Sequence, residues 1–105
     1  MMVILTSKRT LRATFTMILS YSLKHKLFLP HDIMVYTHGL IRRGVVEDHW
    51  RDWVFFWKTP YSWRMDNDIY NLYMKGYLRK LCVGNICGFY TLTNKSIHYL
   101  KKSTL

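Results

Sequence analysis

The sequence predicts a small α+β domain, and three observations support this. Two segments carry apolar residues at helical spacing, over about 32–43 and about 62–75. Beyond residue 76 the pattern changes to two runs rich in aromatic and β-branched residues, which is typical of strands. The length of 105 residues suits one domain with one hydrophobic core.

The first of these helices is predicted over about Asp32–Arg43, directly after Pro30. Gly44 follows where a left-handed C-terminal cap would lie. Asp32 lies in the first turn and Arg42 in the last, as the helix dipole prefers. The apolar residues that repeat at helical spacing are Ile33, Tyr36, Leu40 and Ile41.

The second helix is predicted over about Ser62–Lys75, and Gly76 is its expected cap. Its apolar positions fall at i, i+4 and i+7, and they are Met65, Ile69 and Leu72. Residues 45–63, between the two helices, form a mixed aromatic segment in which Pro60 breaks any long helix.

A β-hairpin is predicted from Tyr77–Val83 and Ile86–Leu92, with Gly84-Asn85 as its two-residue turn. Thr93 is a candidate cap for a last short helix, whose inward residues would be Ile97 and Leu100. Two helices, a two-stranded β-hairpin wing and a short C-terminal helix make up the winged-helix arrangement. The predicted architecture is therefore a winged helix, carried by a domain over residues 27–105.

Residues 1–26 are interpreted as a basic N-terminal extension, because the first carboxylate of the chain is Asp32. Their composition fits a transit peptide, a basic arm laid on RNA, or translated sequence upstream of the true start. We expect this extension to lie outside the folded core. The weakly polar run Ala13–Leu23 is too short to span a membrane and is followed by lysines instead of a cleavage site.

The charge of the chain predicts a polyanionic partner. Lys and Arg number 16 against 6 Asp and Glu, which gives a formal net charge of +10. An excess of this size on a folded domain is typical of nucleic-acid binding, and a solvated basic surface is the alternative.

No catalytic constellation is recognisable, so an enzyme is not expected, nor a cofactor or a small-molecule substrate. No histidine pairs with a serine, cysteine or carboxylate at motif spacing, and there is no glycine-rich phosphate loop. Glu47, Asp48 and Asp52 cluster in the sequence beside Arg51. A local turn held by salt bridges is the favoured interpretation of this cluster over a cation site.

The two cysteines, Cys82 and Cys87, should face each other across the hairpin as a non-hydrogen-bonded pair. They are too few for a zinc site, so no metal is expected. In a reducing compartment we expect both thiols to be free and dispensable.

The C-terminal sequence resembles one known family. The step Gly76-Tyr77-Leu78-Arg79-Lys80, the run Leu92-Thr93-Asn94 and the ending Ile97-His98-Tyr99-Leu100 are similar to the eukaryotic small-subunit ribosomal protein family "S ten e", whose winged-helix domain also occurs in some plectins. Upstream, Phe28-Leu29-Pro30 resembles the opening of that family. The likeness covers about residues 27–102. The chain would be a compact member, since the family's Pro/Arg/Gly-rich tail is missing and Lys95-Ser96 replaces its Glu-Gly.

The resemblance implies a structural constituent of the eukaryotic small (40S) ribosomal subunit. Such a protein would bind ribosomal RNA and neighbouring ribosomal proteins in the subunit head, in the cytoplasm. No membrane partner is expected for such a protein. A winged-helix transcription regulator that reads duplex DNA is the alternative, and Asp66 and Asp68 on the second helix disfavour it because they would repel phosphates.

The candidate RNA-binding residues fall in three groups. Arg79 and Lys80 of the wing, with Lys101 and Lys102 at the chain end, are the clearest basic positions. The second group, which lies among the aromatic residues, consists of Arg51, Lys58 and Arg64. The third group, at the end of the first predicted helix, consists of Arg42 and Arg43. Of the seven aromatic residues between Trp50 and Trp63, we expect most to be buried and one or two to face a partner.

Overall fold

The computed structural model describes the backbone of residues 8–103 and the side chains of residues 10–99, and it has an α+β fold. The described part contains four helices and two small antiparallel hairpins. In chain order the elements are α1 Lys8–Ser22, α2 Pro30–Arg42, β1 Trp53–Phe56, β2 Thr59–Ser62, α3 Trp63–Met74, β3 Leu78–Val83, β4 Ile86–Leu92 and α4 Asn94–Ser103. No helix within residues 8–103 is long and apolar enough to cross a membrane.

Helices α2 and α3 confirm the two helices predicted from apolar spacing, each within two residues at both ends. Pro30 opens α2, and the Asp32 carboxylate accepts a hydrogen bond from the Leu29 N–H at 2.8 Å. The Ser62 hydroxyl caps α3 by accepting from the Met65 N–H at 3.0 Å. Both helices end before a glycine of positive φ, as their predicted caps require.

The hairpin β3–β4 has the predicted turn at Gly84-Asn85. Gly84 has a φ of 61°, which suits the first central position of a type II′ turn. Leu81 pairs with Phe89 while Cys82 pairs with Cys87, so Gly88 is an extra residue in β4. Its φ of 106° is a conformation that a side chain would strain, and it marks a β-bulge.

The expectation of two free thiols is wrong in this structure, because Cys82 and Cys87 form a disulfide. The predicted pairing of the two residues across the hairpin is confirmed. Their Cα atoms lie 3.9 Å apart, so the strand register alone brings the sulfurs within bonding reach.

Residues 8–22 do not form an extension outside the fold, so the boundary predicted at residue 26 is wrong. They make the helix α1, which packs against α3 and α2. Ile18 is fully buried, and Phe15 and Met17 join the same core. The sequence concealed this helix because two of its buried positions, Thr10 and Thr14, are polar and interrupt the apolar stripe.

The hairpin β1–β2 was not predicted. It joins Trp53–Phe56 to Thr59–Ser62 through a two-residue turn at Trp57-Lys58. Pro60 was interpreted only as a helix breaker, yet it lies within β2 and is buried. The hairpin packs on α2, so it covers a face of the helical core.

Helix α4 starts after Thr93 as predicted, but its inward residue differs. Ile97 is 46% exposed, whereas Ser96 is fully buried and donates its hydroxyl hydrogen bond to the Tyr77 carbonyl. The Leu100 side chain lies outside the described residues. The Thr93 hydroxyl donates to the Gly76 carbonyl at 2.6 Å, so it ties the two ends of the wing together.

An isolated β-bridge joins Phe28 to Tyr90 of β4. The Phe28 N–H donates to the Tyr90 carbonyl at 3.0 Å, and the Tyr90 N–H donates to the Phe28 carbonyl at 2.7 Å. Phe28 is fully buried and its ring stacks on Tyr90 at 6.0 Å between centroids. The segment between α1 and α2 therefore pairs with the wing like a very short third strand.

Candidate nucleic-acid interface

The hairpin β3–β4, which is the predicted wing, directs the side chains of its two predicted cations to opposite sides. Arg79 and Lys80 are both exposed in β3, but neighbouring residues of a strand face opposite sides. The Lys80 ammonium lies 5.1 Å from the centroid of Tyr73 and 5.6 Å from that of Tyr90, which is a cation–π arrangement. Lys80 therefore supports the packing of the wing on α3, and Arg79 presents its charge on the other side.

Lys101 and Lys102 lie in the last turn of α4, and their side chains fall outside the described residues. The helix itself packs against β4. Tyr99, in the turn before the two lysines, contacts Phe15 of α1 and Tyr77, so the placement of the lysines beside the hairpin β3–β4 stays a prediction.

Residues 53–62, the aromatic hairpin, expose more rings than expected. The prediction that most of the seven aromatic residues are buried is wrong, because four of them are exposed: Phe55, Phe56, Trp57 and Trp63. Phe56 lies on the opposite side of the strand from Phe55, Trp57 lies in the turn and Trp63 begins α3, while Phe55 stays exposed although it contacts His38 of α2. Only Trp50 of this set is fully buried.

The inner face of the aromatic hairpin lies on α2. Trp53 and Phe55 surround His38 edge to face, with ring centroids 5.2 and 5.0 Å from the imidazole. Pro60 and Ser62 on the same face are buried. This packing fixes the hairpin on the domain, so its outer face is a rigid surface.

Three rings line the outer face in a row. Tyr61 stands between Phe56 and Trp63, with centroids 6.1 and 5.8 Å away and both contacts T-shaped. The Tyr61 hydroxyl donates to the Asp66 carboxylate at 2.8 Å. Burial, then this hydrogen bond and the nearby negative charges of Asp66 and Asp52, raise the pKa of Tyr61 to about 12. The central ring is thus held neutral and in place.

The turn of the aromatic hairpin has an unusual backbone. Trp57 and Lys58 have φ values of 52° and 68°, so both occupy the left-handed region that a type I′ turn requires. Asn and Gly are the usual residues there, because a side chain in this region costs about 1–2 kcal/mol. Trp57 is 97% exposed, so packing of its ring does not offset the free-energy cost of this backbone conformation.

Asp48 and Asp52, two of the three acidic residues of the cluster, are engaged locally, but in the described part of the chain hydrogen bonds hold them instead of the predicted salt bridges. Asp48 accepts hydrogen bonds from the N–H groups of Trp50 and Arg51 and from the indole of Trp53. Asp52 accepts from the Ser62 hydroxyl and the Arg64 N–H. Within the described residues no group of three acidic, histidine or cysteine side chains could hold a metal ion.

The remaining predicted cations lie in the aromatic hairpin, next to it in the chain, or at the end of α2. Lys58 lies at its tip and Arg64 follows Trp63 at the start of α3; both are exposed. Arg42 ends α2 one turn after His38, on the side of that helix that the hairpin covers. Arg43 is the exposed C-cap of α2. Arg51 is also exposed and has a φ of 63°. Its side-chain Nε–H donates a hydrogen bond to the Asp48 backbone carbonyl at 3.4 Å.

Contrary to the expectation from the sequence, Asp66 and Asp68 do not disfavour an α3 that faces nucleic acid. Asp68 is fully buried and Asp66 is half-buried against Tyr61, so neither carboxylate projects from the helix. The exposed stripe of α3 is instead formed by Trp63, Asn67, Tyr70 and Met74.

Asp68 belongs to a buried polar network that the sequence did not reveal. The Trp50 indole donates to the Thr14 hydroxyl at 2.9 Å, and this hydroxyl donates to the Asp68 carboxylate at 2.6 Å. Burial raises the pKa of Asp68 to about 6, although hydrogen bonds from Thr14, Thr10 and Trp50 oppose the rise. The network joins α1, α3 and the loop before β1, and its Trp50 ring contacts Trp53 of the aromatic hairpin.

Comparison of the chain with protein-family models, with curated proteins and with solved structures found no match. The resemblance to the "S ten e" family therefore stays a prediction.

Proposed function

We propose that this chain is a non-enzymatic, RNA-binding domain of the winged-helix type, and that it serves as a structural constituent of the eukaryotic small ribosomal subunit. The observation that carries the RNA part is the surface around the aromatic hairpin, where exposed rings alternate with Lys58 and Arg64 while the neighbouring carboxylates are engaged internally. Phosphates and unpaired bases are the complementary chemistry.

The order of elements supports the winged-helix assignment. Helix α1, the bridge at Phe28, helices α2 and α3, and the hairpin β3–β4 follow one another as in three-helix winged domains. The bridge to Tyr90 corresponds to the short strand that pairs with the wing in such folds. The aromatic hairpin is then an insertion between the second and third helices.

The exposed face of α3 favours RNA over duplex DNA. A helix that reads the major groove presents polar and basic side chains to base edges. Here Trp63, Tyr70 and Met74 occupy that face and are 71%, 52% and 63% exposed. Rings of this kind suit splayed bases or a neighbouring protein better than a groove.

A ribosomal location would be cytoplasmic, where thiols are kept reduced. The disulfide in the wing joins residues only 5 apart in sequence. In the chain-entropy model a loop this short contributes about 2 kcal/mol. The helical core makes no use of the bond, so the wing is compatible with either redox state.

Sedimentation of the tagged chain tests the ribosomal assignment. We expect the chain to migrate with small subunits and to stay with them after mild salt washing, because ribosomal RNA and protein neighbours hold it together. A chain that is found apart from ribosomal subunits and bound to duplex DNA would instead support a transcription regulator.

Salt dependence tests the RNA contacts of the wing. Replacing Arg79, Lys101 and Lys102 by Ala should weaken binding to a fragment of small-subunit head RNA and flatten the plot of log affinity against log salt by about 2–3 units, since each phosphate contact contributes a slope of about 0.7–0.9. Lys80 is kept because its ammonium packs on Tyr73 and Tyr90.

The matched control for this titration replaces three exposed lysines elsewhere, Lys24, Lys26 and Lys75, by Ala. It removes the same charge, so a general loss of attraction affects both variants alike. A slope that falls equally in the two variants, or in neither, would show that the wing makes no specific phosphate contacts.

A further inference from the structure

The geometry points to the outer face of the aromatic hairpin as a stacking site for unpaired bases, so that the RNA segment bound there is single-stranded. This inference rests on the proposed function and narrows it to one substrate class at one surface. The site consists of the rings of Phe56, Trp57 and Trp63, with Lys58 and Arg64 beside them.

The rings are exposed and oriented. Phe56, Trp57 and Trp63 are 61%, 97% and 71% exposed. Tyr61 meets Phe56 and Trp63 with interplanar angles of 69° and 85°, so it buttresses both without covering them by parallel stacking. Bases stack on ring faces of this kind without sequence preference, because every base has a π-face.

The charge around the rings selects an anionic ligand. Lys58 and Arg64 are exposed next to Trp57 and Trp63. The nearest carboxylates keep their negative charge, but their oxygens are held by hydrogen bonds within the protein: Asp52 accepts from the Ser62 hydroxyl and the Arg64 N–H, and Asp66 accepts from the Tyr61 hydroxyl. Rings flanked by cations match a single strand, in which bases and phosphates alternate.

The backbone of the turn adds an independent observation. Trp57 and Lys58 hold left-handed conformations that Asn and Gly would adopt with less strain. Strain kept at exposed residues is typical of functional positions. Here the strained turn places the exposed indole of Trp57 and the ammonium group of Lys58 side by side at the tip of the aromatic hairpin.

A second copy of this chain fits the surface poorly, because a symmetric contact would bring together the two copies of the patch that carries Lys58 and Arg64. The same tip could instead enter an anionic bilayer, since Trp and Lys are common at membrane interfaces. That occupant is an outcome of the test below.

The test uses the full chain and two fluorescein-labelled probes, a short oligouridylate and a blunt RNA duplex, with fluorescence anisotropy as the readout. The double change Trp57→Asn with Lys58→Gly removes the tip ring and charge and installs a preferred turn, so the hairpin should stay folded. Phe56→Thr removes a second ring and keeps a residue suited to strands. Far-UV circular dichroism checks the fold of each variant.

We expect each variant to bind oligouridylate about 5- to 100-fold more weakly than wild type, since one stacked base is lost. Trp57→Phe keeps a ring and should retain most of the affinity. The matched control changes Val83 and Ile86 to Thr, which removes exposed apolar surface from the tip of the other hairpin and should leave oligouridylate binding unchanged. Duplex binding should change less than single-strand binding in the stacking variants.

The contrary outcomes are distinct. If wild type binds the duplex but not oligouridylate, or if the stacking variants bind oligouridylate as wild type does, the stacking site is overturned while the proposed function stands. If wild type binds neither probe, the proposed function fails as well. Binding of wild type to phosphatidylserine vesicles and not to oligouridylate, lost on Trp57→Asn with Lys58→Gly, would assign the tip to a membrane surface and overturn the RNA site.

Discussion

Deleting residues 1–22 will leave the remaining chain unable to unfold cooperatively. The deletion removes α1, whose side chains Phe15, Met17 and Ile18 are all at most 8% exposed. It also removes Thr14, which donates to the buried carboxylate of Asp68 at 2.6 Å. Truncating one buried Ile side chain to Ala costs about 2–5 kcal/mol, and a small domain has only about 5–15 kcal/mol in total.

Single substitutions separate packing from helix formation in this prediction. Ile18→Ala should lower the free energy of unfolding by about 2–5 kcal/mol, as measured by urea denaturation. Thr16→Ala, two residues away on the exposed side of the same helix, is the control and should change it by less than about 0.5 kcal/mol. Equal, small effects of both substitutions would mean that α1 does not contribute to the core.

The predicted helices α2 and α3 and the predicted hairpin β3–β4 share one property: the local sequence pattern of each agrees with the structure it adopts. Apolar spacing marks α2 and α3, with Ile33, Ile69 and Leu72 buried as expected. Gly84-Asn85 marks the turn of β3–β4. In α3 the residues that the period selects, Met65, Ile69 and Leu72, are all buried. In α2 only Ile33 of the four selected residues is fully buried, and the other three pack against the core half-buried.

The elements that were missed break that agreement. Helix α1 buries Thr10 and Thr14, and these polar residues interrupt its apolar pattern in the sequence. Their burial is understandable only in the folded protein, where Asp68 and Trp50 lie beside α1. The aromatic hairpin turns at Trp57-Lys58, which carries no turn signal because the required φ values are unfavourable for both residues. Tertiary packing determines whether both elements form, and this packing cannot be derived from the spacing of residues along the chain.

The candidate site was predictable in composition and not in arrangement. Every side chain among the predicted cations that the structure describes is exposed: Arg42, Arg43, Arg51, Lys58, Arg64, Arg79 and Lys80. No local pattern indicated that the Lys80 ammonium would pack on the rings of Tyr73 and Tyr90. Nor could the sequence show which rings would stay outside, because that depends on which face of the unpredicted hairpin meets α2.

The buried network at Asp68 has a consequence for stability that depends on pH. The pKa of Asp68 is raised in the folded protein to about 6, chiefly by burial, from an ordinary value of 3.8. The folded state therefore binds more protons than the unfolded state between about pH 4 and pH 6, and the free energy of unfolding falls as pH rises through this window. Above pH 6, Asp68 is ionised in the folded protein, and the burial of this charge lowers the free energy of unfolding by about 3 kcal/mol.

Asp68→Asn should remove this pH dependence. The amide oxygen can still accept the hydrogen bond of the Thr14 hydroxyl, and the side chain stays neutral at every pH. Compared with wild type, the variant should therefore gain up to about 3 kcal/mol in the free energy of unfolding at pH 8, and the gain should vanish towards pH 4. Urea denaturation of both proteins across this range measures the difference. Asp66→Asn removes one charge from the same helix outside the buried network, so it should not reproduce that pH profile. A difference between Asp68→Asn and wild type that stays constant from pH 4 to pH 8 would show that Asp68 does not change its protonation in the folded protein, and that Thr14 and Trp50 stabilise its charge better than its burial suggests.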